Sequence, residues 1–287
     1  MTSLPSLVHL NQIADEYEAI LCDVWGVIHN GREVFWEAVD ALRRYREVHG
    51  PVVLITNAPV PEERVLMSLE RVGVPDDCYD AVVTSGDATR AELEKRMPGP
   101  VYCIGPDYDD PLYQGLAMEY TTKIEEAAFI SCTGLREIPK DQPENYRDEL
   151  SKLAARELDM LCANPDLVFK YGDELIPSAG ALAKIYEELG GRVIRPGKPG
   201  APIYELAYKK LTEILGYKPV SDAILAIGDG PATDARGAVR EGLDCLFIGG
   251  GIHGAIIEES ESFLEDAAQL LANDDADAAY AAPALIW

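Results

Sequence analysis

Ala19-Ile20-Leu21-Cys22-Asp23-Val24-Trp25-Gly26-Val27 is a short apolar run that meets a carboxylate and then a glycine. Apolar runs of this length, bounded by turn residues, read as strands buried on both faces. The same pattern returns at Val52–Asn57, Ala81–Ser85, Arg192–Arg195, Ala223–Asp229 and Cys245–Gly249. Helical patterns lie between them. One runs from about Ser178 to Leu189 and is stopped by Gly190-Gly191; another runs from Ala201 to Leu215 and is stopped by Gly216. A third follows Pro231 and is stopped by Gly242. Doubly buried strands that alternate with helices specify an α/β fold: a doubly wound, mostly parallel sheet with helices on each side.

From about Gly86 to Pro177 the rhythm changes. Further strand candidates appear at Val101–Ile104, Ala127–Cys132 and Asp159–Ala163, with a proline-rich, acidic stretch (Pro139–Glu144) between the last two. This segment reads as a smaller α/β unit inserted into the first. Residues 1–85 and 178–287 would then form the parent domain, each flank supplying three strands, and residues 86–177 the insert. The Asp/Ala-rich stretch Asn273–Ala282 reads as a helix end or a loose tail.

A chain of 287 residues suits about two domains. Its 47% hydrophobic and 26% charged residues are ordinary globular usage and exclude wholesale disorder. No run approaches the roughly 18 apolar residues of a spanning helix. The first residues carry no basic start, and acids arrive by Asp15 and Glu16, so no secretory signal is expected and the chain reads as cytoplasmic. Fifty acids against 25 bases leave a net charge of −25. Such a surface repels nucleic acid and anionic membrane, which excludes both as partners. A small phosphorylated metabolite stays compatible if the site is locally positive. The six cysteines form no Cys-x-x-Cys pair and lie mostly in apolar runs, as buried reduced thiols do.

In an open parallel sheet, ligands bind beyond the carboxyl ends of the strands. The first strand ends in Asp23-Val24-Trp25-Gly26-Val27, the second in Thr56-Asn57, the fourth in Gly197-Lys198-Pro199 and the fifth in Gly228-Asp229-Gly230-Pro231-Ala232-Thr233-Asp234. Carboxylates, a lysine and a hydroxyl would meet in one crevice. A carboxylate can serve as a nucleophile in phosphoryl transfer, and Mg²⁺ prefers one or two carboxylates with water and phosphate. Singly, each stretch has a plainer explanation. Asp229-Gly230 is a common turn pair, Thr56-Asn57 could cap a helix, and Lys198 could be an exposed loop lysine. Together, in this order, they are a strong signal.

The ordered set resembles the haloacid-dehalogenase superfamily, specifically its phosphatase branch with a class II-A cap. Asp23-Val24-Trp25-Gly26-Val27 matches the nucleophile motif, Ile55-Thr56-Asn57 the second, Gly197-Lys198-Pro199 the third, and Gly228-Asp229 through Thr233-Asp234 the fourth. The insert falls between the second and third motifs, where that class keeps its cap, and Asn164-Pro165-Asp166 resembles a cap segment. The resemblance implies a Mg²⁺-dependent phosphatase acting on small phosphate monoesters, such as sugar phosphates or nucleoside monophosphates. Asp23 would attack phosphorus and share Mg²⁺ with Asp229 and the carbonyl of Trp25, with Asp234 supporting the metal. Thr56 and backbone N–H groups near Asn57 would bind the phosphoryl oxygens, and Lys198 would neutralise developing charge. Asn164 and Asp166 are the candidate cap contacts; Lys170 reads as solvent-facing. Many caps of this group pair across a dimer, so the resemblance allows a homodimer.

One position departs from the pattern. Phosphatases of this group carry a second aspartate two residues after the nucleophile, which protonates the leaving oxygen; here that residue is Trp25. Losing a general acid costs about 10²–10⁴ in rate. The expectation is a slow or selective enzyme that favours leaving groups needing little protonation. His29 is the alternative proton donor, although a loop histidine before Asn30-Gly31 is the plainer reading. Two rivals remain open: a metal-independent 2-haloacid dehalogenase, whose family carries an aromatic residue here, and a catalytically weak protein that binds a phosphorylated ligand.

Overall fold

A computed structural model describes residues 4–172, 174–251 and 262–287. Among these residues the strands are β1 (Ser6–Leu7), β2 (Ala19–Cys22), β3 (Val52–Thr56), β4 (Ala81–Thr84), β5 (Val101–Ile104), β6 (Phe129–Cys132), β7 (Asp159–Cys162), β8 (Val168–Tyr171), β9 (Glu174–Pro177), β10 (Arg192–Ile194), β11 (Ile224–Gly228), β12 (Asp244–Ile248) and β13 (Tyr280–Ala282). The large sheet has the order β1-β13-β12-β11-β2-β3-β4, and its pairings are parallel. The expected α/β doubly wound sheet is what forms.

Two apolar layers explain why these strands carry no polar face. Ile20, Cys22, Val52, Leu54, Leu225 and Ile227 point into one layer, while Ala19, Leu21, Val53, Ile55, Ile224 and Ala226 point into the other. The alternation is the two-residue period of a strand, with a helical layer on each side. Strand order reverses between β2 and β11, whose register pairs Cys22 with Ile227. A crevice therefore opens at that switch point, beyond the ends that carry Asp23 and Asp229.

The insert builds its own parallel sheet, β10-β7-β6-β5, and an antiparallel hairpin, β8–β9. Two expectations are corrected here. Arg192–Arg195 was assigned to the parent sheet, but β10 pairs with β7, with Arg192 opposite Asp159 and ion-paired to it. The helix Ala179–Glu188 also packs into the insert, through Ala179, Leu182, Ala183, Ile185 and Tyr186. The chain thus returns to the parent sheet near Pro196, not at residue 178. The parent sheet is completed instead by β1 and β13, and β13 lies in the stretch expected to be a helix end or loose tail. The six cysteines are free, and all but half-buried Cys103 are buried. Among the described residues, no helix is long and apolar enough to cross a membrane.

Membership of the 179–188 helix can be read by hydrogen exchange. Leu182→Ala removes a fully buried side chain, a change that costs about 2–5 kcal/mol. Exchange is expected to accelerate at β6 and β7 while β11 and β12 keep their protection. Acceleration confined to the large sheet would return the helix to the parent unit.

Candidate active site

Lys198 has its aliphatic stem buried and its ammonium surrounded by acceptors. Nζ donates to Asp23 Oδ1 at 2.5 Å, to Asp234 Oδ1 at 2.7 Å and to the Ile55 carbonyl at 2.9 Å. Lys198, Asp23 and Asp234 are 2%, 6% and 5% exposed, so water screens this cluster little. The plainer reading of an exposed loop lysine is excluded. Lys198 does not arrive on a parent-sheet strand, as expected, but on the turn between β10 and the helix Ala201–Leu215.

That turn is clamped by Asn57. Its Oδ1 accepts from the Lys198 backbone N–H at 2.8 Å, while Nδ2 donates to the Lys198 carbonyl at 3.2 Å and to Asp166 Oδ1 at 2.9 Å. Gly197 permits the approach, since a Cβ there would lie 2.6 Å from Asn57 Oδ1. One amide thus ties the second motif, the third motif and the cap segment together. Asn164 Oδ1 accepts from the Asp166 N–H at 3.1 Å and shapes that segment.

Asp229 follows β11 and lies against backbone on two sides: a Cβ on either Gly26 or Gly251 would fall 1.9 Å from its Oδ2. Gly26 also has φ +81°, a conformation that side chains rarely adopt. Asp234 sits on a π-helical turn, Pro231–Ala235, and its Oδ2 accepts from the Gly230 N–H at 3.1 Å. Carboxylate oxygens of Asp23, Asp229 and Asp234 lie within 4.8 Å of one another. Three buried carboxylates facing one ammonium form a hard oxygen donor set that suits Mg²⁺. Burial, reinforced by Asp234 and opposed by Lys198, pushes Asp23 up to about 7. Burial opposes the Lys198 charge, but Asp23, Asp234 and Asp166 outweigh it and hold the ammonium well above the usual lysine range. Burial also raises Asp166.

Thr56 is buried, and its Oγ1 accepts from the Ala58 N–H at 3.2 Å, which leaves the hydroxyl hydrogen for a ligand. Trp25 is half-buried under the cap hairpin. Its ring meets Phe169 at 5.5 Å and Tyr171 at 6.5 Å, and His29 at 4.8 Å from its own loop. His29 is 1% exposed; its Nδ1 accepts from the Gly31 N–H at 2.9 Å, and burial lowers its pKa to about 4. A neutral imidazole fixed this way is no proton source near neutral pH, so His29 is set aside as the stand-in acid.

A cavity of about 850 Å³ joins these groups, with Asp23, Thr56, Asn57, Lys198, Asp229 and Asp234 on the parent side and Asn164, Asp166, Phe169 and Lys170 on the cap side. Lys170 lines it half-buried, where solvent exposure was expected. Sequence reasoning missed Asp109, which also lines the cavity at 5% exposure. Burial pushes its carboxyl up to about 7, with a Thr133 hydrogen bond pulling the other way. In sequence it stands in the acidic run Asp107-Tyr108-Asp109-Asp110, which reads as solvated loop.

Two outcomes follow for stability. Lys198→Met leaves buried carboxylates without their cation and is expected to cost about 3–5 kcal/mol in chelator, with Mg²⁺ restoring part of it. Urea denaturation with and without Mg²⁺ measures both. Asp109 holds its proton in the folded state up to about pH 7 but releases it near 3.8 when unfolded. The folded state therefore binds the extra proton in that window, and stability falls as pH rises through it. Asp109→Asn should flatten this slope in melts between pH 4 and 7; an unchanged slope would place the titration elsewhere.

Residues 20–117 match a family profile described as haloacid dehalogenase-like hydrolase, and residues 195–278 match a second, described as HAD-hydrolase-like. A hydrolase of the haloacid dehalogenase-like family from Brucella suis 1330 is 40% identical, with TM-score 0.86 over 99% of this chain and 100% of that one. A structure from Cytophaga hutchinsonii ATCC 33406, described as a possible sugar phosphatase, superposes with TM-score 0.79 at 17% identity over 99% of each chain, a likeness of fold. The 5'-nucleotidase YutF of Bacillus subtilis strain 168 is 24% identical over 240 residues, 82% of this chain and 88% of its own. With four motifs converging on one buried cluster and a relative of 40% identity along its whole length, the chain belongs to the haloacid dehalogenase-like hydrolases.

Proposed function

We propose that this hydrolase is a Mg²⁺-dependent phosphatase that cleaves small phosphate monoesters through a phosphoaspartate on Asp23. The observation that carries the reading is the lysine bridge: one ammonium holds Asp23 and Asp234 in a buried pocket beside Asp229. A nucleophilic carboxylate needs to be fixed and desolvated, and phosphoryl transfer is otherwise positioning and charge stabilisation. Relationship to a 5'-nucleotidase, and a shared fold with a possible sugar phosphatase, support a sugar phosphate or nucleoside monophosphate as substrate.

Asp23 forms a bond to phosphorus as the ester P–O bond breaks, and the leaving oxygen departs as an alkoxide or phenoxide that takes its proton from water. Water then attacks the phosphoaspartate, releasing phosphate and regenerating the Asp23 carboxylate. Thr56 donates its hydroxyl to a phosphoryl oxygen, and Asn57 keeps Lys198 in register with the nucleophile. Asp23, Asp229 and the Trp25 carbonyl would hold Mg²⁺, with Asp234 behind them; bound there, it supplies positive charge against the phosphoryl oxygens. Asn164 and Asp166 belong to the cap wall that excludes water.

Trp25 shapes the selectivity. Indole transfers no proton near neutral pH, and His29 is neutral, so the leaving oxygen departs with little help. Aryl phosphates, whose leaving groups are weak bases, should turn over faster than alkyl phosphates. The carboxylate cluster argues against metal-independent dehalogenation.

Phosphate release from p-nitrophenyl phosphate and from an alkyl phosphate, measured with Mg²⁺ and with chelator, tests the reading. Asp23→Asn should abolish release from both, and chelator should do the same. Trp25→Asp should raise alkyl turnover by about 10- to 100-fold relative to aryl. Activity surviving Asp23→Asn would remove the nucleophile, and halide release from a 2-haloacid in chelator would favour the dehalogenase. Binding of an ester with no phosphate release would leave only a ligand-binding protein.

A further inference from the structure

Acids outnumber bases two to one in this chain, so an arginine without an acceptor is conspicuous. Of its fifteen arginines, twelve have a carboxylate or carbonyl partner. The guanidinium groups of Arg32, Arg64 and Arg71 have none among the described residues, and all three line the cavity that holds Asp23. Arg32 lies over the Tyr171 ring at 4.9 Å. Arg64, Ser68 and Arg71 stand at i, i+4 and i+7 of the helix Glu62–Val72, so one helical face presents two cations and a hydroxyl to the cavity.

Arg32, Arg64 and Arg71 are all exposed, so an anion entering the cavity can reach them. The helix has its own acids, Glu62, Glu63 and Glu70, but none lines the cavity. Outside the buried carboxylate cluster, the acids among the described residues that do line it are Asp109, Asp166 and Glu174. Asp109 is buried within the cap, Asp166 is bonded to Asn57, and Glu174 lies on the hairpin beside Tyr171. None of these described acids is ion-paired to the three arginines. A cavity of about 850 Å³ also has room for much more than a phosphate group.

We propose that Arg64 and Arg71, with Arg32 beside the cap hairpin, bind a second anionic group on the leaving half of the ester. The substrate class, which rests on the phosphatase reading, is then a phosphate monoester whose alcohol also bears a carboxylate or a second phosphate. Guanidinium forks suit both, since each oxyanion accepts two parallel N–H bonds. The arrangement separates two tasks: Lys198 and the carboxylate cluster handle the reacting phosphoryl group, and the arginines read what is attached to it.

Matched esters test this. Glycerol 3-phosphate is compared with 3-phosphoglycerate, and fructose 6-phosphate with fructose 1,6-bisphosphate; p-nitrophenyl phosphate is the reference without a second anion. The anion-bearing member of at least one pair should show the higher kcat/KM, and which pair responds tells carboxylate from phosphate. Arg64→Gln and Arg71→Gln keep the helix and should each raise KM for that ester roughly 10- to 100-fold. KM for p-nitrophenyl phosphate should change less than about twofold. Equal kcat/KM within both pairs, or equal losses on p-nitrophenyl phosphate, would overturn the proposal. Calorimetry with Asp23→Asn and Mg²⁺ asks the same question without turnover. If no ester releases phosphate, the phosphatase reading fails, yet preferential binding of the anion-bearing ester that is lost in Arg64→Gln still upholds the arginine site, and indifferent binding still refutes it.

Discussion

The ammonium of Lys198, buried between Asp23 and Asp234, is the interaction around which the molecule is organised. Taking these ions from water costs several kcal/mol each, and their attraction repays that only with close geometry and satisfied hydrogen bonds. The fold supplies both. All three ammonium donors have acceptors, Asn57 clamps the lysine's backbone, and Gly26 and Gly251 let the main chain close on Asp229. An apolar lysine-sized side chain would be easier to bury, but it could neither fix a carboxylate nor meet a phosphoryl oxygen. The cluster is better understood as stability given up for positioned, desolvated carboxylates than as a device for holding the fold together.

The same constraint decides what the sequence could and could not reveal. Asp23, Thr56 and Asp229 were legible because each ends an apolar run whose alternating residues fill two buried layers, and such a run has one sensible place in a parallel sheet. Lys198 was legible as a motif but not in its support, because the clamp from Asn57 spans 141 positions of chain. Arg192–Ile194 shows the limit of pattern. Three residues have a period but no address, and the choice of sheet was made by β7 and Asp159 in the insert. Tyr280–Ala282 was hidden for the opposite reason: small residues in an acidic stretch carry no strand signature, and only the exposed edge of β12 makes them one. Asp109 left no trace at all, since burial of one acid in a run of three depends on how the cap folds around it.

Trp25 links chemistry to recognition. An aspartate at this position would sit in the cavity as a proton donor; the indole instead packs under Phe169 and Tyr171 of the cap hairpin, whose Gly172 N–H donates to the Asn30 carbonyl at 3.0 Å. Gly31 has to be a glycine, because a Cβ there would lie 2.6 Å from the indole ring. The loop after Asp23 thus offers the cap hairpin an aromatic seat on which to rest. Closure then depends on aromatic contact, and the same contact puts Tyr171 beneath the Arg32 guanidinium, on the wall that reads the leaving group.

Electrostatics at long and short range pull in opposite directions here. A net charge of −25 repels a phosphate ester from most of the surface, while the cluster at the end of its path has Lys198, and would have Mg²⁺, to set against its carboxylates. Cations at the cavity mouth that are not neutralised by neighbouring acids focus the field where low-dielectric walls confine it, so a small anion is drawn to one opening of an otherwise repulsive molecule. Arginines paired with surface carboxylates would lose that effect within a Debye length of about 8 Å at physiological salt. Arg32, Arg64 and Arg71 line that opening, and their guanidinium groups have no ion-pair partner among the described residues, so they are placed to receive the anionic leaving half of an ester on an otherwise acidic chain.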